Sequence, residues 1–577
     1  MQYSQLSSYL LILISLLSRY NNSSGQTLME PYDFHPPLGI PMYLSGNFGE
    51  LRSNHFHHGI DIKTQQVTGK KVYSVYDGYL SRIKIKSGGY GKSLYITHTN
   101  GYVSVYGHLN KFMPEIENYV KKNQYERKSF EVDLYPHKDE FPVKKGQVIA
   151  LSGNTGRSGG PHLHFEIRDS KDQQPLNVLK FNFDIQDNID PKIYNVAIYP
   201  IDNNSTIDSK NQKLIVEAER INNHYSIKTD KIINVYGKIG FGVEVSDYLD
   251  GSNNKCGIYS IDLFINDTLI YTCQLDRLSF DESRYINSHI DYEEKIKNNK
   301  KIHKLFLEPN NKLSIYKNLK NRGVYRFMND AINRIKIFTK DVNQNTSVLT
   351  FLVITNSQNI PDNTANINPN FIKTFNYFSP NKYENDEVKI ILPKDALYDN
   401  INFKYSSITN DTMEYSYIHC IHDEFTALHK NYTLSIKAKN LSEDLYQKAL
   451  IVFIDKDSNI ISQGGEWQDG FVIAKTGTFG NFKILIDTIT PEISPLNINN
   501  NEKSNIAFSV TDNMSGIKTY NGYIDKEWAL FEFDAKSNTL RYYFDKNRIS
   551  TGNNHHLELF VTDFKDNIGK YSGTFYY

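Results

Sequence analysis

The chain has 577 residues, room for about four domains of roughly 150 residues each. Its 65 basic residues balance 65 acidic ones, which argues against a nucleic-acid or membrane-surface partner bound by charge. Tyr (41) and Phe (32) are abundant, a lean toward β structure, and beyond the N-terminus no stretch is apolar for long enough to span a bilayer.

In chain order, Tyr9–Leu17 is a short apolar run, and Ser23-Ser24-Gly25 places small residues at a cleavage point. This is the pattern of a secretory signal peptide over residues 1–25, lacking only a Lys or Arg before the run. Export to the periplasm, cell envelope or medium is expected. No Cys follows the run, so a lipid anchor there is not expected. Cys256, Cys273 and Cys420 are an odd number, leaving at least one thiol unpaired, while pairing of Cys256 with Cys273 stays open.

A proline-bearing lead (Pro31, Pro36, Pro37, Pro41) enters a β-rich block over about 40–170. Lys71–Tyr76 and Tyr79–Ile85 flank Asp77-Gly78, and Leu94–His98 and Tyr102–Tyr106 flank Asn100-Gly101, so both pairs are predicted as hairpins. Val143–Leu151 is predicted as a further strand. Pro114–Lys122 has helical spacing behind a first-turn proline and opens an insertion over 111–141. Surface elaboration and groove wall are equally open readings of it.

From about Asn188 the composition turns to Asn/Lys/Ile/Tyr-rich strands. Val245-Ser246-Asp247 before Gly257-Ile258 is echoed by Val510-Thr511-Asp512 before Gly516-Ile517, and Phe338–Asp341 by Phe560–Asp563. Three β-rich modules are expected, at 188–356, 357–487 and 488–577, the first and last as Ig-like β-sandwiches. Their Asp-rich turns lack the spaced ligands of a dedicated calcium loop and are expected to be solvated. His419 and His422 have no obvious further partner for a metal.

The chemistry gathers in the first block. In Ser152–Arg168 a glycine-rich loop precedes an alternating strand, so His162, His164 and Glu166 share one face while Leu163, Phe165 and Ile167 face a core. His57 and Asp61, four apart around Gly59, point the same way on an extended or helical backbone, and His108 ends another strand. Catalytic Zn²⁺ needs three protein ligands and an open position. His57, Asp61 and one of His162 and His164 provide them. The remaining histidine of that pair and His108 are suited to proton transfer and oxyanion stabilisation. Ordinary core or surface histidines would require five coincidences between residues 57 and 164.

His57-x-Gly59-Ile60-Asp61, Tyr106-Gly107-His108-Leu109 and Gly153-x-Thr155-Gly156…Gly160-Pro161-His162-Leu163-His164-Phe165-Glu166 resemble peptidase family M23, the LytM/lysostaphin-type zinc endopeptidases. The resemblance implies zinc held by His57, Asp61 and His164, with His162 as general base and His108 assisting the transition state. It implies an antiparallel β peptidase domain (26–187) with a narrow groove that cleaves peptide cross-links of bacterial peptidoglycan. The layout is similar to multi-domain members from Bacteroidetes. Two features depart from the family's pattern: Gly159 stands where members commonly have Thr, and the 111–141 insertion is long. A catalytically silent wall-binding or regulatory protein is the alternative, and a proteinase for ordinary polypeptides a third reading. The later modules are expected to bind wall polymer or an envelope partner. Asn47, Arg52 and Asn154 are candidates to line the groove, and Glu166 to orient a neighbour. His35, His55 and His137 are expected on the surface, His98 at a hairpin tip, and His58 turned away from His57.

Overall fold

The computed structural model describes residues 33–355, 371–409, 415–498 and 504–577, so the expected signal peptide and the 356/357 boundary lie outside the described residues. The chain is mainly β, and no helix among the described residues is long and apolar enough to cross a membrane.

In the first block the principal elements, leaving aside four two-residue strands, are β1 (Leu44–Gly46), β2 (Ile60–Lys63), β3 (Lys71–Tyr73), β4 (Gly78–Ile85), β5 (Lys92–His98), β6 (Tyr102–Leu109), β7 (Lys111–Phe112), α1 (Pro114–Arg127), β8 (Val132–Leu134), β9 (Val148–Leu151) and β10 (His162–Asp169). The large antiparallel sheet runs β1-β2-β10-β6-β5-β4-β8, and a small one runs β3-β9-β7. Alternation decides which way β10 faces: Leu163, Phe165 and Ile167 are buried with Ile60 and Ile62 in one core, leaving the histidines on the other side. Helix α1 begins at Pro114, gains Glu115 and Glu117 in its first turn, and ends at Lys128 in the left-handed region. Ile116 and Val120 anchor it to the same core.

Four sequence expectations are corrected by the structure. Asp77-Gly78 is a corner between sheets, not a hairpin turn: β3 pairs with β9, while β4 pairs with β5. Likewise Val143–Leu151 is two short strands, Pro142–Val143 against β4 and β9 in the small sheet. The two crossovers run side by side, with Ser74 N donating to Gln147 O at 2.9 Å and Gly146 N to Ser74 O at 2.8 Å. The Asp77 carboxylate is taken by Lys145 N, 2.8 Å away, so it does not close a local turn. The Asn100-Gly101 hairpin does form, joining β5 to β6. His98 is buried, not exposed at a tip, with Nε2 2.7 Å from Ser104 Oγ.

Residues 192–355 form a second block around its own sheet, and its core takes in Phe48, Leu51 and Phe56 from the turn ahead of β2. Residues 371–486 form two facing sheets of six and five strands, and residues 492–576 two sheets of four. The last block leans back on the first: Lys121 meets Asp545 at 2.6 Å, and Tyr125 packs edge-on against Trp528. All three cysteines are free. The acidic turns are not all solvated, since Asp247, Asp341, Asp487 and Asp563 are buried.

A Cβ on Gly78 would lie 2.2 Å from Thr97 O, so Gly78→Ala must push β4 from β5. The expected cost is about 1–3 kcal/mol, seen as a lower midpoint in chemical denaturation; an unchanged midpoint would count against the corner.

Candidate metal centre

Three strands carry the site in register. β10 lies between β2 and β6, with His164 opposite Asp61 on one side and Gly107 on the other. His57 comes in just ahead of β2 over Gly59, where a Cβ would strike Phe165 O at 2.4 Å, so only glycine allows that approach. His108 needs a different device. Between the pairs Lys92↔Leu109 and Leu94↔Tyr106, β6 has one residue more than β5, and His108 takes φ 58°. This bulge turns its ring toward the face that His164 occupies, with 5.9 Å between ring centroids.

The donor atoms converge. His57 Nε2 lies 3.1 Å from Asp61 Oδ1 and 3.1 Å from His164 Nδ1, and His164 Nδ1 lies 2.9 Å from Asp61 Oδ1. Ligands on a zinc tetrahedron at ~2.0–2.2 Å are roughly 3.3–3.5 Å apart, so an ion requires an opening of only a few tenths of an ångström. All three residues are buried. Each imidazole has its outer nitrogen engaged: His57 Nδ1 donates to Asn47 O at 2.8 Å, and His164 Nε2 to Glu166 Oε1 at 2.7 Å. The inward nitrogens are thereby the ones left to a metal. These residues fit a zinc ion.

The other two histidines flank the cluster. His162 Nε2 is 3.5 Å from Asp61 Oδ1, while its Nδ1 donates to Gly160 O at 2.8 Å. His108 Nδ1 donates to Thr155 O at 2.8 Å, and its ring centroid is 4.7 Å from that of His162. His162 is the more open of the group, its side chain 13% exposed against 3% for His57.

The electrostatics are set by burial and by two carboxylates. Burial lowers His57, and burial with the neighbouring imidazoles lowers His108 to about 3, so both rings are neutral at pH 7. Against its burial, hydrogen bonds to Asp61 and Glu166 push His164 up to about 9. Against burial, His57, His162 and His164 hold Asp61 well below the usual carboxylate range. Arg52 Nη2 takes Asp61 Oδ2 at 2.6 Å, keeping Oδ1 turned to the imidazoles.

The sequence offers Glu166 to orient a neighbour, but the two groups that hold Glu166, Arg168 and Tyr90, were not evident from it. Glu166, fully buried, is held by Arg168 Nη2 at 2.6 Å and by the Tyr90 hydroxyl, and the Tyr90 ring stacks on His164 with centroids 4.8 Å apart. Asn47 does more than line a groove. Its side chain pairs with Gly257 of the second block in both directions, Nδ2 to O and Oδ1 from N, each at 2.7 Å, while its carbonyl orients His57. Asn154 O accepts from Lys536 of the last block. His58 turns away from the cluster to Ser283 Oγ at 2.9 Å. His419 and His422 take separate partners, Tyr405 and Thr426.

The family model described as Peptidase family M23 matches residues 55–125 and 134–178, and one described as a Zu5-like domain matches 372–487. The gap at 126–133 falls inside the 111–141 stretch. An uncharacterized metalloprotease of Haemophilus influenzae is 32% identical over 167 residues, covering 28% of this chain and 30% of that protein. The DD-carboxypeptidase/endopeptidase Mpg of Neisseria meningitidis is 31% identical over 161 residues, 27% of this chain and 31% of the relative. The peptidoglycan DD-endopeptidase ShyB of Vibrio cholerae is 31% identical over 156 residues, 26% and 30%. The chain thus spans under a third of the length of these relatives.

Glu166→Gln removes the charge that fixes His164 and leaves every ligand in place, so zinc affinity should fall about 10–100-fold in chelator competition. Asn47→Ala, which keeps the accepting carbonyl but cuts the Gly257 tether, should lower it by a smaller factor. Unchanged affinity in both would show that the ligands need no such support.

Proposed function

Because this chain belongs to peptidase family M23 through residues 55–178, we propose that it is an exported zinc metalloendopeptidase hydrolysing peptide bonds in peptidoglycan cross-links. The observation that carries this reading is the convergence of His57 Nε2, Asp61 Oδ1 and His164 Nδ1 beside two further imidazoles. The named activities of the Neisseria and Vibrio relatives support the substrate class. A substrate in the cell wall requires a location outside the cytoplasm, in keeping with the apolar run Tyr9–Leu17.

Those three atoms would hold the zinc. When bound, the ion supplies Lewis-acid polarisation of the scissile carbonyl and acidifies a water. The protein's own residues do the rest. His162, with Nδ1 tied to Gly160 O, turns Nε2 toward the ligand cluster, 3.5 Å from Asp61 Oδ1, where it would take the proton from the attacking water and return it to the leaving amine. His108, with Nδ1 tied to Thr155 O and its ring 4.7 Å from that of His162, would bind the oxyanion only as an imidazolium, after its Nε2 has taken up a proton. His57, Asp61 and His164 keep their geometry because the groups behind them are buried and paired, so little reorganisation accompanies reaction.

His164→Ala should lose both zinc and hydrolysis. His162→Ala should keep stoichiometric zinc while its rate falls about 10²–10⁴-fold. The measurement is mass analysis of cross-linked muropeptides after digestion with the zinc-loaded full chain, alongside metal content. If zinc-loaded wild type leaves those muropeptides intact, the hydrolytic reading fails and a wall-binding role takes its place.

A further inference from the structure

A second group of metal-ligating side chains lies away from the histidines. Asp187 precedes the second block, Asp247 follows its long strand Ile233–Ser246, and Asp341 follows Ala331–Lys340. One carboxylate oxygen from each lies within 4.8 Å of those from the other two. The three line one cavity of about 170 Å³ between the blocks, together with Asn47 and Tyr259. Asp247 is 1% exposed, and its buried Oδ1 has no hydrogen-bond partner. An unpaired carboxylate oxygen facing two more carboxylates is costly unless something positive joins them.

The arrangement is built, and built twice. Asn345 donates from its backbone N to Asp341 Oδ1 at 2.8 Å, and from Nδ2 to Asp341 Oδ2 at 2.6 Å and Asp187 O at 3.1 Å. Asn567 repeats this with Asp563 Oδ1 at 2.9 Å, Asp563 Oδ2 at 2.7 Å and Asp487 O at 3.0 Å. Asp512 closes that second cluster as Asp247 closes the first. Asp187-x-Ile189-x-Pro191 and Asp487-x-Ile489-x-Pro491 lead into the two. They differ in charge. Lys565 stands within electrostatic reach of Asp487 and Asp563. At the first cluster the facing groups are carboxylates: burial, then Asp187 and Asp341, push Asp247 up to about 9.

The geometry points to a calcium site formed by Asp187, Asp247 and Asp341 at the seam between the first two blocks. The donors are oxygen alone, which favours a hard cation over zinc. Calcium accepts irregular sets of six to eight oxygens, whereas magnesium demands a near-ideal octahedron and keeps its waters. Asp187 lies in the connecting segment and the other two in the module, so one ion fastens the junction. Asp247 pairs through its backbone with Cys256, whose neighbour Gly257 holds Asn47.

The test is calorimetric titration of calcium into the zinc-saturated full chain, with thermal unfolding measured in parallel. Wild type should bind calcium with a dissociation constant on the order of 10⁻⁴–10⁻³ M or tighter and melt several degrees higher when loaded. Asp247→Asn should lose one equivalent and that part of the shift, and Asp512→Asn should keep both. No binding by wild type, or an Asp247→Asn protein that binds as wild type does, would overturn the site. Should Asp247→Asn not fold, terbium bound to unmutated protein gives a second readout, sensitised by Tyr259. Emission that calcium displaces and Tyr259→Phe dims supports the site; emission insensitive to both overturns it.

Discussion

Two carboxylates share one imidazole at the centre of this molecule. Glu166 and Asp61 grip opposite nitrogens of His164 at 2.7 and 2.9 Å, in a place where none of the three is appreciably solvated. That grip fixes the ring's rotation and its tautomer, and with them the position of the nitrogen a metal would use. It is also expensive, because Glu166 is completely buried and its charge must be met in full. Arg168, itself buried, and the hydroxyl of the half-buried Tyr90 meet it. The cost of the metal face is therefore carried by an ion-pair layer directly behind it, on the same strand.

The second ligand, His57, is oriented from much farther off. Its partner is a backbone carbonyl in the turn Asn47–Phe56, which packs Phe48, Leu51 and Phe56 into the core of the following block. Asn47 and Gly257 close the link with a two-way hydrogen-bonded pair. Removing the second block would thus expose three large apolar side chains and free the carbonyl that aims His57. The two blocks have separate sheets, but their cores exchange residues across the seam, with Leu249 and Cys256 packed into the first. The mass beyond residue 190 is accordingly part of how the site is held.

Sequence alone carried the face of β10 and the gathering of His57, Asp61, His108, His162 and His164, because a period of two and three conspicuous short motifs are local properties. It misplaced Asp77-Gly78, since the same dipeptide serves a hairpin or a corner and the partner that decides, Lys145 N, lies far along the chain. It gave no warning that His108 needs a bulge: in a regular strand the residue after Gly107 would face away, and the extra residue that re-aims it appears only in the pairing register. Tyr90, Arg168 and the tether of Asn47 were hidden for the same reason. An Asp in a polar turn reads as solvated, and only packing revealed that Asp247 and Asp341 are enclosed.

The two donor sets also explain how one chain could keep different metals apart. At the first, two imidazole nitrogens and one carboxylate oxygen stand about 3 Å apart on two paired strands and the segment ahead of them, a small set that suits a borderline ion of low coordination number. At the other, the donors are three carboxylates, with no nitrogen or sulfur among them. Asp61 and His164 are held opposite each other by the β2–β10 register, and His57 approaches from the segment ahead of β2, so the set needs only the small opening an ion requires. The seam set rests on turns and a connecting segment, which can yield by fractions of an ångström. Selectivity between the two then follows from what the donors are: two imidazoles with one carboxylate suit a borderline ion, and carboxylates alone suit a hard one.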